Sequence, residues 1–162
     1  MSENELKVIL VGNTNVGKTS IATRYVNGTF SEMLEPTVGA AFLSKEVEIV
    51  GTKCIFNIWD TAGQETYRYL VPMYYRNAQI AVVVFDLTNE SSFNAVPYWM
   101  DDVKKNVGDD VIILICGNKS DCVNQVVDFN TIQDFAAQTG TTYVEVSART
   151  GANLGKIFEI GF

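Results

Sequence analysis

No histidine occurs anywhere in this chain of 162 residues. That absence removes His-based catalytic triads, imidazole metal ligands and histidine general bases together, so any catalysis must use other groups. Cysteine is scarce: Cys54, Cys116 and Cys122 form no CxxC pair or other metal-like spacing, and two of them fall in apolar strand-like runs. A chain of this length buries a core without staples, and this cysteine usage fits a reduced, cytoplasmic compartment. Positive charge is in deficit, with 12 Lys and Arg against 19 Asp and Glu and a net charge of −7. The deficit argues against nucleic acid as a partner, and an anionic ligand has to be held locally. No apolar run reaches the length of a membrane span, and the N-terminus does not resemble a signal peptide. Linkers, repeats and low-complexity stretches are missing as well, so a single domain over residues 1–162 is expected. The final residues, 158–162, stop on the apolar face of a helix still being built, which reads as a helix cut short.

What is present begins with Gly12–Thr19, GNTNVGKT. Two glycines, a lysine and a threonine stand at the spacing of a phosphate-binding loop, after the strand-like run Lys7–Val11 and before the helix-like run Ser20–Val26. In that context backbone N–H groups curl around oligophosphate, and the following helix adds the positive end of its dipole. Lys18 reaches the terminal phosphates, and the Thr19 hydroxyl serves Mg²⁺.

Alternating apolar and helical periodicities predict strands at 6–11, 42–50, 53–59, 79–85, 111–116 and 142–147, and helices at 18–27, 66–75, 91–106, 129–139 and 153–162. Strands 42–50 and 53–59, joined at Gly51-Thr52, form an antiparallel hairpin. The expected fold class is therefore α/β: six strands, mostly parallel with one antiparallel hairpin strand, and about five helices on both faces. Gly12, Asp60, Asn118 and Ser147 each follow a strand-like run. All four would lie at the carboxyl edge, where open sheets of this kind bind ligands.

Ile58–Gln64 sets Asp60 at the end of a buried strand, followed by Gly63 and Gln64. Mg²⁺ takes few protein ligands, so Asp60 acting through a metal-bound water is the expected partner of Thr19. The Gly63 N–H faces a terminal phosphate, and Gln64 orients an attacking water. Thr37, in the polar stretch Thr29–Thr37, would close the metal shell with its hydroxyl when a γ-phosphate is present.

Ile115–Asp121 discriminates the base. The Asp121 carboxylate can accept hydrogen bonds from both N1–H and the exocyclic amine of guanine, a pair that adenine does not offer. A site built around it rejects adenine by about 10⁴-fold. Asn118 ties this strand end to the phosphate loop, the Lys119 stem covers one face of the base, and Phe30 covers the other. Val146–Arg149 adds Ser147, Ala148 and Arg149, with a small residue whose N–H can reach the guanine carbonyl oxygen. An ATPase or phosphotransferase sharing the loop would need an arginine-rich lid, and none is visible.

GNTNVGKT, Thr37, DTAGQ, NKSD and VSAR, in this order, resemble the Ras-like small GTPases over essentially the whole chain. TVGAAF at 37–42, IWDTAGQETYRYL at 58–70, PMYYRNA at 72–78 and VVFDLTNESSF at 83–93 are similar to the Rab branch, and the double alanine to its early-endosomal subgroup. The resemblance implies a P-loop NTPase of the Ras-like G-domain type. GTP or GDP would sit on Thr14, Asn15, Val16, Gly17, Lys18, Thr19 and Ser20, with Mg²⁺ on Thr19, Thr37 and Asp60, and hydrolysis would be slow. Protein effectors, an exchange factor and a GTPase-activating protein are the implied partners. Phe42, Trp59 and Tyr74 match an aromatic cluster that effectors use. The implied role is a monomeric switch in vesicle trafficking or endocytosis, the parent protein reaching the cytosolic face of endosomal membranes through a lipidated tail absent here. The alternative is a GTP-binding interaction module with little hydrolysis. Thr14, Asn15, Thr66, Asn77, Cys122 and Arg149 depart from the usual Rab residues.

Overall fold

The computed structural model describes residues 5–28, 40–61 and 71–159. Within them the chain runs β1 (Glu5–Val11), α1 (Lys18–Asn27), β2 (Ala40–Ile49), β3 (Thr52–Thr61), α2 (Val71–Tyr75) and β4 (Ile80–Asp86). It continues α3 (Glu90–Asn94), α4 (Val96–Val107), β5 (Ile112–Asn118), α5 (Phe129–Thr139), β6 (Thr142–Glu145) and α6 (Leu154–Glu159). The strands form one sheet in the order β2-β3-β1-β4-β5-β6. Only the β2–β3 pair is antiparallel.

This is the α/β architecture the sequence predicts, and the differences have local causes. The hairpin turn is Val50-Gly51 rather than Gly51-Thr52, since Ile49 pairs with Thr52 and both turn residues have positive φ, 52° and 77°. That is the primed geometry whose twist suits a two-residue hairpin. The expected helix 91–106 is two helices. Asn89 caps the first by accepting from Ser92 N–H, and the second restarts at Val96 with Pro97 in its first turn, where a missing N–H costs nothing.

Alternating side chains send β1 into two cores. Val8 and Leu10 pack with Ile21 and Ala22 of α1 and Leu154, Ile157 and Phe158 of α6. Ile9 and Val11 face Tyr75 of α2, Val96, Trp99 and Val103 of α4 and Ile132 of α5. Every residue of β4 is buried, as in a strand covered on both faces. The chain leaves β1 toward β2 and β3 on one side, then crosses to β4 on the other, so a crevice opens at the carboxyl end of β1.

Candidate functional site

Four strand ends and the β6–α6 loop meet at that crevice. The loop after β1 turns at Gly12, whose φ of +142° and approach to the Val84 carbonyl leave no room for a side chain. Asn15 (φ 70°) and Gly17 (φ 100°) complete the curl. Gly17 caps α1 without a side-chain hydrogen bond, and no acidic residue stands in the first turn. The start of this helix therefore presents backbone donors and a positive dipole end, which favours an anion. Thr14 and Ser20 are half-buried on this curl and Asn15 is exposed. Val16 points its side chain into the core and contributes through its backbone.

Lys18 is buried, its ammonium donating to the Gly12 and Asn13 carbonyls at 2.9 and 2.8 Å. Burial lowers its pKa from 10.5 to about 8, opposed by the nearby Asp60 carboxylate. The Thr19 hydroxyl donates to Asp60 Oδ2, bringing the loop and the end of β3 together. A hydroxyl touching a buried carboxylate is a hard-oxygen pair that fits Mg²⁺, which takes one or two protein ligands and fills its remaining positions from phosphate and water.

The β5 and β6 side of the crevice is built as tightly. Asn118, buried at the end of β5, donates through Nδ2 to the Val16 carbonyl at 3.0 Å and accepts at Oδ1 from Ala148 N–H at 3.1 Å. One amide thus joins the phosphate loop, β5 and the loop after β6. Ser147, fully buried, donates through Oγ to Asp121 Oδ1 at 2.7 Å and accepts from Thr150 N–H at 3.1 Å. Asp121 is exposed and held in place by that bond. Ala148, expected to offer its N–H to a base carbonyl, donates it to Asn118. Arg149 is exposed beside it.

A model of the Ras family matches residues 7–161. The chain belongs to the Ras family. Among curated relatives it is 44% identical over 161 residues to the GTP-binding protein YPT53 of Saccharomyces cerevisiae, covering 95% of this chain and 73% of that protein. It is 40% identical over 159 residues to the Ras-related protein RabJ of Dictyostelium discoideum, covering 97% of this chain and 62% of that one. The Ras-family chain therefore spans between three fifths and three quarters of these relatives, and both likenesses make it a Rab-like small GTPase.

Thr14 to Ser20, Asp60, Asn118, Lys119, Asp121 and Ser147 to Arg149 all gather at one edge of this Rab-like domain. Phe30, Thr37, Gly63 and Gln64 lie outside the described residues. One register position back from Asp60, Phe42 of β2 stands opposite Trp59 of β3 in the antiparallel register. Their rings are 5.0 Å apart, and Tyr74 of α2 lies 6.0 Å from Trp59. Phe42 is 51% exposed, and the Lys7 ammonium sits 4.9 Å from the centre of the Trp59 ring. The three aromatic residues of the Rab pattern thus form a continuous, partly exposed strip.

Sequence reading missed three participants. Asn13 accepts through Oδ1 from Trp99 Nε1 at 2.9 Å, tying the phosphate loop to α4. Asp86, the last residue of β4, lies 2.6 Å from the Lys119 ammonium. Thr88 donates to Asp86 Oδ1 from both its N–H and its hydroxyl. The available signal was position: Asp86, like Asp60, is an acid closing an apolar strand at the same sheet edge.

Proposed function

We propose that this Rab-like domain binds GTP and GDP with Mg²⁺, hydrolyses GTP slowly, and switches effector binding with the nucleotide. The observation that carries the guanine assignment is Asp121 fixed by Ser147 beside Asn118, whose amide is anchored on the phosphate loop. A carboxylate held at that position pairs with the N1–H and amine edge of guanine and leaves adenine unmatched. Lys18 and the α1 N-terminus bind the phosphates. Mg²⁺ would be held by the Thr19 and Thr37 hydroxyls, with Asp60 acting through a metal-bound water, and it would supply neutralisation of the charge that develops on the phosphates. Gln64 orients the attacking water and Gly63 meets the terminal phosphate; Phe30 and the Lys119 stem enclose the base. Phe42, Trp59 and Tyr74 form the effector surface. The likeness to Rab-named proteins supports a role in vesicle trafficking, and the resemblance of residues 37–42 to the early-endosomal subgroup supports endosomal membranes as its place. An activating protein is expected to accelerate hydrolysis, and an exchange factor to release GDP.

Nucleotide released from the purified protein by heat and identified by chromatography tests the reading. GDP or GTP, followed by loss of loaded GTP over hours, is the expected result. Adenine nucleotide, or GTP unchanged after a day, overturns it.

A further inference from the structure

We propose that Asp86 is a positioning residue that sets how long nucleotide stays bound, by fixing Lys119 against the phosphate loop; the inference rests on the guanine-nucleotide reading above. Asp86 is only 5% exposed, and every polar group it carries is engaged. Its Oδ1 accepts from the Thr88 N–H and hydroxyl at 2.8 and 2.7 Å. Its N–H donates to Ser92 Oγ at 2.9 Å, and its carbonyl accepts from the same hydroxyl at 3.2 Å. Oδ2 is left pointing at Lys119 Nζ, 2.6 Å away. The carboxylate has one orientation available, and that orientation serves the lysine.

The strand register places this contact beside the site. Asp86 pairs with Asn118 across β4 and β5, and the Leu87 N–H donates to the Asn118 carbonyl at 3.0 Å. Lys119 follows in a left-handed conformation, φ 69°, uncommon for a residue with a β-carbon. Its ammonium also reaches the Asn15 carbonyl at 3.5 Å, the outer limit of a hydrogen bond, and Asn15 is itself left-handed. Lys119 thus spans from the end of β4 to the phosphate loop. A free lysine stem samples many rotamers and loses them on binding. Held by Asp86, the stem is ordered before nucleotide arrives, so less freedom is lost on binding.

Release of a fluorescent GDP analogue in the presence of Mg²⁺ tests this. Asp86→Asn should release it about 3- to 10-fold faster, the cost of ordering one long side chain on binding, with little change in association rate. In a Lys119→Ala background, Asp86→Asn should add less than about twofold, because its action runs through the lysine. A purely structural Asp86 would accelerate release equally in both backgrounds, which overturns the proposal, as does release unchanged in Asp86→Asn. Should Asp86→Asn not fold, Thr88→Val leaves both charges and removes one hydroxyl from Asp86. It should speed release about threefold, an effect that Lys119→Ala abolishes; no effect overturns the proposal. A wild-type protein that fails to bind GDP overturns the guanine reading itself, a result visible before any variant is made.

Discussion

Gly17 and Asn118 approach so closely that a β-carbon on Gly17 would lie 2.2 Å from Asn118 Nδ2. The loop after β1 and the loop after β5, separated by 102 positions in the Val16–Asn118 bond, therefore behave as one piece. A substitution in either half disturbs the other.

Gly17→Ala should lower nucleotide affinity at least tenfold and destabilise the fold by about 1–3 kcal/mol, combining strain at φ 100° with displacement of the Asn118 amide. Gly28→Ala is the control, since its φ is also positive, at 72°, but nothing lies within 4 Å of the added carbon. It should cost about 1 kcal/mol in stability and leave affinity unchanged. Calorimetric titration with GDP beside thermal melts separates the two; wild-type affinity in Gly17→Ala would contradict the packing described.

Asp121→Asn should exchange base preference. An amide keeps one acceptor for the base N1–H and places a donor where xanthine carries a carbonyl and guanine an amine. GTP affinity is expected to fall by about 10²-fold or more and xanthosine triphosphate affinity to rise. Competition between the two triphosphates measures this. Equal losses for both would mean that Asp121 acts only through Ser147.

Lys18 predicts a pH dependence. Its folded pKa is about 8, below its ordinary 10.5, because burial disfavours the charge. The unfolded chain thus binds more protons between those values, and stability attributable to Lys18 rises with pH across that window, by about 3 kcal/mol at most. Thermal melts without nucleotide should show wild type gaining on Lys18→Met between pH 8 and 10.5. Phosphate favours the charged lysine, so nucleotide binding above pH 8 should take up a proton. Titration calorimetry in buffers of different ionisation enthalpy reads that proton; none taken up at pH 9 would count against Lys18 as a phosphate ligand.

Gln64→Leu should slow GTP hydrolysis by about tenfold or more while GTP affinity stays within about twofold, since an apolar side chain cannot orient water. Single-turnover hydrolysis on GTP-loaded protein gives the rate. An unchanged rate would remove Gln64 from the chemistry.

Much of this was legible from the chain. Helices α1 and α5 occupy the residues predicted, 18–27 and 129–139, because their punctuation is local: Gly17 and Gly28 bound one, Asp128 and Gly140 the other. The convergence of Gly12, Asp60, Asn118 and Ser147 followed from strand ends alone. What escaped depends on pairings between distant segments. Asp86 followed by Leu-Thr-Asn reads locally as the start of a turn, and its ion pair needs β4 and β5 side by side. Trp99 is a core residue of α4 whose Nε1–H reaches Asn13 across 86 positions, a pairing that no local pattern announces. The break between α3 and α4 was hidden by apolar periodicity continuing across Ala95.

The stacking of Tyr25 on Phe158, with ring centres 3.9 Å apart, closes the back of the helix that carries Lys18 and Thr19. Ile21 and Ala22 of that helix share the same core as Leu154 and Ile157, and Arg24 reaches the Thr150 carbonyl at 3.2 Å. A nascent chain completes its phosphate loop early in synthesis, but the wall behind α1 is made of residues translated more than a hundred codons later. The ribosome thus delivers the motif long before it delivers the support that holds it, and full nucleotide retention should begin only when residues 154–158 have emerged.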